Sequence, residues 1–199
     1  IMNVMPIDFE PSFTPNSSTW LGNSTTWYDA ANWSNGIPHS GTSATIPSGA
    51  GNYPSIPVAA NLYDLDLANG ASLTLTTNAH LTLFRNWTNA GTFNTNTGTV
   101  EFKTCNSTSN WSSTVPLTVN NLVLNNESNV TISSGNITVA DSLSFLQGML
   151  YNSANTLIFE DDDHDNPALA ICSDGKILVS LTLAKSFLVS PRLRHRSQK

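Results

Sequence analysis

Charge is scarce in this chain. Of its 199 residues only 11% are Asp, Glu, Lys or Arg, less than half the share usual in soluble domains. The eight basic residues are also bunched, with Arg192, Arg194, Arg196 and Lys199 at the very end. Residues 1–191 hold 4 basic and 14 acidic side chains, a net charge of −10. A body with that charge is not built to bind nucleic acid through its phosphates. The tail "PRLRHRSQK" reads as a solvated terminus, with docking to an acidic partner as the alternative.

Other absences narrow the class further. No stretch approaches the ~18 apolar residues of a membrane span, so none is expected. The opening "IMNVMPIDFE" has neither the basic start nor the long apolar run of a signal peptide. That leaves both a mature secreted chain and a fragment of one open. There are only two cysteines, Cys105 and Cys172. They can close one disulfide or stay separate thiols, and they define no framework. Linked, they would close a long loop and add about 4 kcal/mol. The four histidines are scattered, and none has a second His or Cys at metal-ligand spacing. No Ser sits in a G-x-S-x-G elbow.

Hydroxyls and amides are abundant: 25 Ser, 23 Thr and 24 Asn. Seventeen aromatics and a dense supply of Val, Ile, Leu and Thr accompany them, which argues against disorder and favours strands. The stretch Phe84–Phe102, "FRNWTNAGTFNTNTGTVEF", is typical, with an apolar residue every few positions among Asn, Thr and Gly.

An internal repeat emerges when residues 61–102 are set over residues 118–159. Leu65 and Leu67 then fall on Leu122 and Leu124, Leu73 and Leu75 on Val130 and Ile132. Leu81 and Leu83 meet Ile137 and Val139 after a one-residue slip, and Val100 and Phe102 meet Leu157 and Phe159. The offset is 57. Within each copy, apolar residues come as pairs two apart, recurring about every eight residues. Period two predicts strands with one buried face. No convincing helical period exists.

Many short strands joined by polar turns allow two architectures. The expected one is an all-β, parallel β-solenoid (a right-handed β-helix). The alternative is an antiparallel β-sandwich, kept open by the hairpin-type dipeptides Asn35-Gly36 and Asn69-Gly70. In the solenoid, Leu, Val and Ile stack inward in columns while Thr and Asn face solvent. The expected organisation is an extended N-terminal arm over 1–19, a Trp/Pro/Gly-rich cap over 20–60, the repeat-built solenoid over 61–160, and an unassigned segment over 161–199. The cap carries Trp20, Trp27 and Trp33. The arm offers Ile1, Val4, Ile7 and Phe9 for docking in extended form on a sheet edge, that of a neighbouring subunit included.

The segment "STTWYDAANWSNGIPHSGTSATIPSGAGNYPSI" resembles one widespread in large surface and secreted proteins of Bacteroidetes-type bacteria. A W-x-x-A-x-N-W-S-x-G-x-P run there precedes an "ATIP…YP" run. The matching residues are Trp27, Ala30, Asn32, Trp33, Ser34, Gly36, Pro38, Ile46, Pro47, Tyr53 and Pro54. "LTLFRNWTNAGTFNTNTGTVEF" is similar to the G-N-W-T-N-x-G-T-F…G-T-V-x-F element that follows, with Arg85 in place of the first Gly. The likeness runs from about Trp20 to Phe159. It implies an extracellular β-helical stalk or adhesin-like region and brings no catalytic residues. "DSL" at 141–143 looks like the short context that such bacteria O-glycosylate, with Ser142 as acceptor.

One dense acidic site remains, "FEDDDHDNP". Asp161, Asp163 and Asp165 alternate, and carboxylates at that spacing can converge on Ca²⁺. An EF-hand is not present, and a solvated acidic turn is the plain alternative. Asp64, Asp66, Glu101 and Glu127 are candidate carboxylates for glycosidic chemistry, with no spacing that pairs them. Trp87 and Trp111 could stack on sugar rings from an exposed face, or could be core. The nine N-x-S/T sequences follow from the composition.

The reading is therefore a non-enzymatic extracellular structural protein, a surface stalk, adhesin or fibre subunit. It would need no cofactor beyond calcium at the three aspartates. Self-association end to end or by strand addition, and glycans, are the expected partners. A carbohydrate-binding module and a polysaccharide-active β-helix enzyme fragment are the alternatives.

Overall fold

A computed structural model describes residues 15–104, 107–152, 155 and 157–159. The described chain winds as a parallel β-solenoid of about five turns. Strand β1 (Asn16–Thr19) leads into a loop that holds one 3-10 turn at Ala30–Asn32. The first complete winding is β2 (Thr42–Ile46), β3 (Ser55–Ile56) and β4 (Ala59–Leu62). The second is β5 (Leu65–Leu67), β6 (Ser72–Leu75) and β7 (His80–Leu83); the third is β8 (Trp87–Asn89), β9 (Thr92–Asn94) and β10 (Thr99–Thr104). Two windings of two longer strands follow: β11 (Thr108–Ser113) with β12 (Leu117–Asn126), then β13 (Asn129–Ser134) with β14 (Ile137–Gln147). Strands β15 (Leu150–Asn152) and β16 (Leu157–Phe159) begin another.

Three walls result. Wall 1 is β1-β2-β5-β8-β11-β13-β15, wall 2 is β3-β6-β9, and wall 3 is β4-β7-β10-β12-β14-β16. Every pairing between named strands is parallel. The antiparallel sandwich is thereby set aside. Gly36 and Gly70 do take left-handed backbone angles, but Asn69-Gly70 turns a corner between walls 1 and 2 rather than a hairpin. In the fourth and fifth windings the corner between walls 2 and 3 needs no turn. There β12 and β14 bend through a register shift between Val119 and Asn121, as a bulge allows.

The alternation of residue types follows from the pleat, which sends successive side chains to opposite faces. Wall 3 carries two inward columns, Ala60–Leu81–Val100–Leu122–Leu143 and Leu62–Leu83–Phe102–Leu124–Phe145, all in register. Wall 1 carries Ala44–Leu65–Trp87–Trp111–Ile132. All of these are buried. Trp87 and Trp111 stack with ring centroids 5.3 Å apart and planes 8° from parallel. Each winding thus covers the apolar face that its neighbour could not bury alone.

The wall 1 column rises in steps of 21, 22, 24 and 21 residues. The 57-residue offset read from sequence is therefore not a whole number of windings. Leu65 lies in wall 1 and Leu122 in wall 3. The 61–102 and 118–159 blocks match in kind of pattern but not in position. The physical reason is that every wall shows the same inward–outward alternation, so a pattern match cannot tell one wall from the next.

Corners use residues that tolerate left-handed angles. Asn78 (φ 60) and Asn96 (φ 45) occupy successive corners between walls 2 and 3, where Asn is favoured over other side-chain-bearing residues. They are tied together through Thr97, whose Oγ1 accepts from the Asn78 N–H at 3.1 Å. Asn96 Nδ2 donates to the Leu75 carbonyl.

The N-terminal end is closed by its own chain. Trp20, Trp27 and Trp33 are at most 3% exposed, and Trp33 meets each of the other two edge-on, at 5.0 and 4.8 Å. The segment 32–34 pairs along the outer edge of β1: the Ser34 N–H donates to the Thr19 carbonyl at 2.9 Å and the Leu21 N–H to that of Asn32 at 2.7 Å. The edge of β3 is met by the chain at Thr26. Such covers blunt sheet edges that would otherwise recruit other strands. Because β2, β3 and β4 already form a winding, the covering loop proper is residues 20–41.

Candidate functional site

The outward faces carry whatever chemistry the solenoid has, because its interior is filled. On wall 3 a diagonal chain crosses three windings. His80 Nε2 lies 2.8 Å from Glu101 Oε2, and Asn125 Nδ2 donates to Glu101 Oε1 at 2.9 Å. Both carboxylate oxygens are thus engaged, and the carboxylate is only 13% exposed. His80 precedes the inward Leu81, while Glu101 lies between the inward Val100 and Phe102, so both project outward.

A second group sits where wall 3 turns into wall 1. Arg85 donates through Nε to Asp64 Oδ1 at 2.7 Å and through a terminal nitrogen to Oδ2. Its guanidinium carbon lies 4.5 Å from the centroid of the Tyr63 ring. Ser43 Oγ donates to Asp64 Oδ2 at 2.7 Å, and the Asn86 N–H donates to Oδ1 at 3.0 Å. Burial pushes the Asp64 carboxyl up, but the bonds from Arg85, Ser43 and Asn86 together outweigh it. The net effect holds the carboxyl below its ordinary value. The same pairing, opposed by burial, raises Arg85. Arg85 thereby grips the preceding winding.

The "NWT" and "NWS" sequences acquire a structural meaning at this corner. Asp64 accepts from the Asn86 N–H, and Asn86 Oδ1 accepts from the Asn110 N–H at 3.0 Å. Each acid or amide precedes an inward residue, Leu65, Trp87 or Trp111. The Asn ties one winding to the next, and the Trp fills the core below it.

The residues expected to bear function are dispersed. Ser142 is half-buried on the outer face of wall 3 and donates to Asn121 Oδ1 at 2.5 Å. Asp64 and Asp66 belong to the wall 1 side, Glu101 to wall 3, and Glu127 follows β12 at the next corner. All five tryptophans are buried, so Trp87 and Trp111 are core, the plainer of the two readings, and offer no sugar platform. Asp161, Asp163, Asp165, Cys105, Cys172 and the arm residues Ile1, Val4, Ile7 and Phe9 lie outside the described residues. Among the described residues no three His, Cys, Asp or Glu side chains gather as metal ligands.

The sequence reasoning missed both the Asp64–Arg85 and the His80–Glu101 pairs. Each joins residues 21 apart, one winding, and a search at that spacing would have found them. No protein-family model, curated protein or solved structure matches the chain.

Proposed function

We propose that the chain is a non-enzymatic structural module of an extracellular bacterial surface protein, a stalk or adhesin. The observation that supports it best is the pair of unbroken wall 3 columns, five residues deep, under a skin of hydroxyl and amide side chains. Such a stack resists lateral bending, because deformation must separate packed side chains and backbone ladders together. Because its wall carries few charges, salt should change its stability little. The likeness of the Trp27–Pro54 and Leu81–Phe102 segments to Bacteroidetes-type surface proteins points to the same setting.

Five windings at about 4.8 Å each make a stack roughly 25 Å tall. Reach in a stalk would therefore come from many modules in series. Self-association by strand addition is part of the proposal, and it would avoid the N-terminal edges of walls 1 and 2, which are occupied by the cap.

Electron microscopy and single-molecule stretching of the purified protein test this reading. Molecules joined in series in the microscope, each unfolding at high force, support it. Turnover of a polysaccharide by the isolated chain would replace it with the enzymatic alternative, and tight binding on a glycan array with the carbohydrate-binding one.

A further inference from the structure

The chain holds two Asn-Gly pairs, Asn35-Gly36 and Asn69-Gly70, and the fold treats them differently. Both asparagines are exposed. Asn69 and Gly70 are the central residues of a four-residue turn closed by the Ala71 N–H donating to the Ala68 carbonyl at 2.9 Å. Among the described residues, neither the Asn69 side chain nor the Gly70 N–H has a hydrogen-bond partner. The turn is anchored at other atoms: the Ala68 N–H donates to the Ile46 carbonyl at 3.0 Å, the Ala71 carbonyl accepts from the Thr92 N–H at 2.9 Å, and the Gly70 carbonyl accepts from Tyr53 Oη at 2.9 Å.

Asn35 is clamped. Its N–H donates to Ser18 Oγ at 3.2 Å and its Nδ2 to the Ser17 carbonyl at 3.3 Å. Ser18 Oγ in turn donates to the Gly36 carbonyl at 2.7 Å, and Ser34 and Gly36 are bridged. Rotation at this site has to break the contacts that close the N-terminal end. Asn23, followed by the small Ser24, is held as well: its Nδ2 donates to the Ala31 carbonyl at 2.5 Å, and the Ser24 N–H donates to Asn32 Oδ1 at 2.8 Å.

We propose that Asn69 is a site of spontaneous deamidation in the folded protein, and that the cap protects Asn35 from the same reaction. The Gly70 backbone nitrogen attacks Cγ of Asn69. The bond from Cγ to the amide nitrogen breaks, ammonia leaves, and a five-membered succinimide closes. Water then adds to one of its two carbonyls, the ring C–N bond at that carbonyl breaks, and an aspartyl or isoaspartyl residue is left at position 69. Glycine has no side chain to obstruct the attack and permits the backbone rotation it needs. The product adds one negative charge at the corner between walls 1 and 2. This inference does not depend on the functional reading above.

The test is peptide mapping by mass spectrometry, with isoaspartate detected by an isoaspartyl methyltransferase. Folded protein and urea-unfolded protein are incubated side by side at mildly alkaline pH. The expected result is conversion at position 69 well ahead of position 35 when folded, and comparable rates at both when unfolded. Asn69→Gln removes the folded-state signal. Equal conversion at both sites in the folded protein overturns the proposal, as does conversion at Asn35 first. So does a folded protein inert at both positions while the unfolded one reacts.

Discussion

Arg85 stands one winding after Asp64 and grips its carboxylate through two nitrogens, with its guanidinium stacked on Tyr63. The pair ties the second winding to the third at a corner where the backbone leaves one sheet for another. A forked donor suits this position better than a point charge, since both carboxylate oxygens are met at once.

Asp64→Asn should therefore destabilise the fold. Hydrogen bonds to charged groups are worth about 1.5–3 kcal/mol, but the Arg85 side chain is 35% exposed, and screening reduces the figure. A loss of about 1–2 kcal/mol is expected in urea titrations at neutral pH. The loss should depend on pH. The folded carboxyl is more acidic than its ordinary value of 3.8. Its contribution is complete above that value and fades as the pH falls through the folded one. Unfolding curves of the wild type and Asp64→Asn should converge at the acid end. A gap that stays constant down to full protonation would show that the charge is not what stabilises the corner.

Phe102 tests the columns. It is fully buried in wall 3 between Leu83 and Leu124, and its ring lies 5.2 Å from that of Trp111 across the interior. Phe102→Ala should cost about 3–5 kcal/mol through lost transfer energy and the cavity left behind. The outward Asn61→Ala, on the same wall, should stay within about 0.5 kcal/mol. Similar values for the two would mean that inside and outside have been assigned wrongly.

Gly148 and Gly49 both have left-handed φ, 77° and 75°. A methyl group at Gly49 meets open space, whereas one at Gly148 would overlap the Asn126 carbonyl one winding earlier. Gly49→Ala should cost about 1–2 kcal/mol, the backbone penalty alone. Gly148→Ala should cost clearly more, because the β14–β15 corner cannot seat without shifting the chain beneath it. Hydrogen exchange should place the extra loss in the last windings, from β13 onward.

The architecture was legible because period-two alternation runs through strands such as "SLTL" at 72–75 and "TVEF" at 99–102. The registry was not. Leu65 and Leu122 carry the same local pattern, and only the closure of each winding decides which wall receives them. The buried polar residues were equally hidden. Asn126 looks like any turn asparagine, yet its Nδ2 donates to Ser109 Oγ at 2.9 Å while its Oδ1 accepts from the N–H groups of Ser128 and Asn129. The outward pairs escaped for a related reason. Asp64–Arg85 and His80–Glu101 are neighbours only once the 21-residue step is known.

The N-terminal closure depends most on Trp33. Its ring meets both Trp20 and Trp27 edge-on, its Nε1 donates to the Trp27 carbonyl at 2.9 Å, and its backbone pairs with that of Trp20. Edge-to-face pairs add about 0.5–1.5 kcal/mol each beyond burial, so Trp33→Ala should cost at least as much as the Phe102 change. Its second consequence is specific to the position. Residues 32–34 would no longer hold the edge of β1, and an uncovered parallel edge recruits further strands. Sedimentation of Trp33→Ala should reveal concentration-dependent association beyond that of the wild type and of Phe102→Ala at matched stability. A variant that loses stability yet associates no more than the wild type would show that the tryptophans fill the end of the core without guarding the sheet edge.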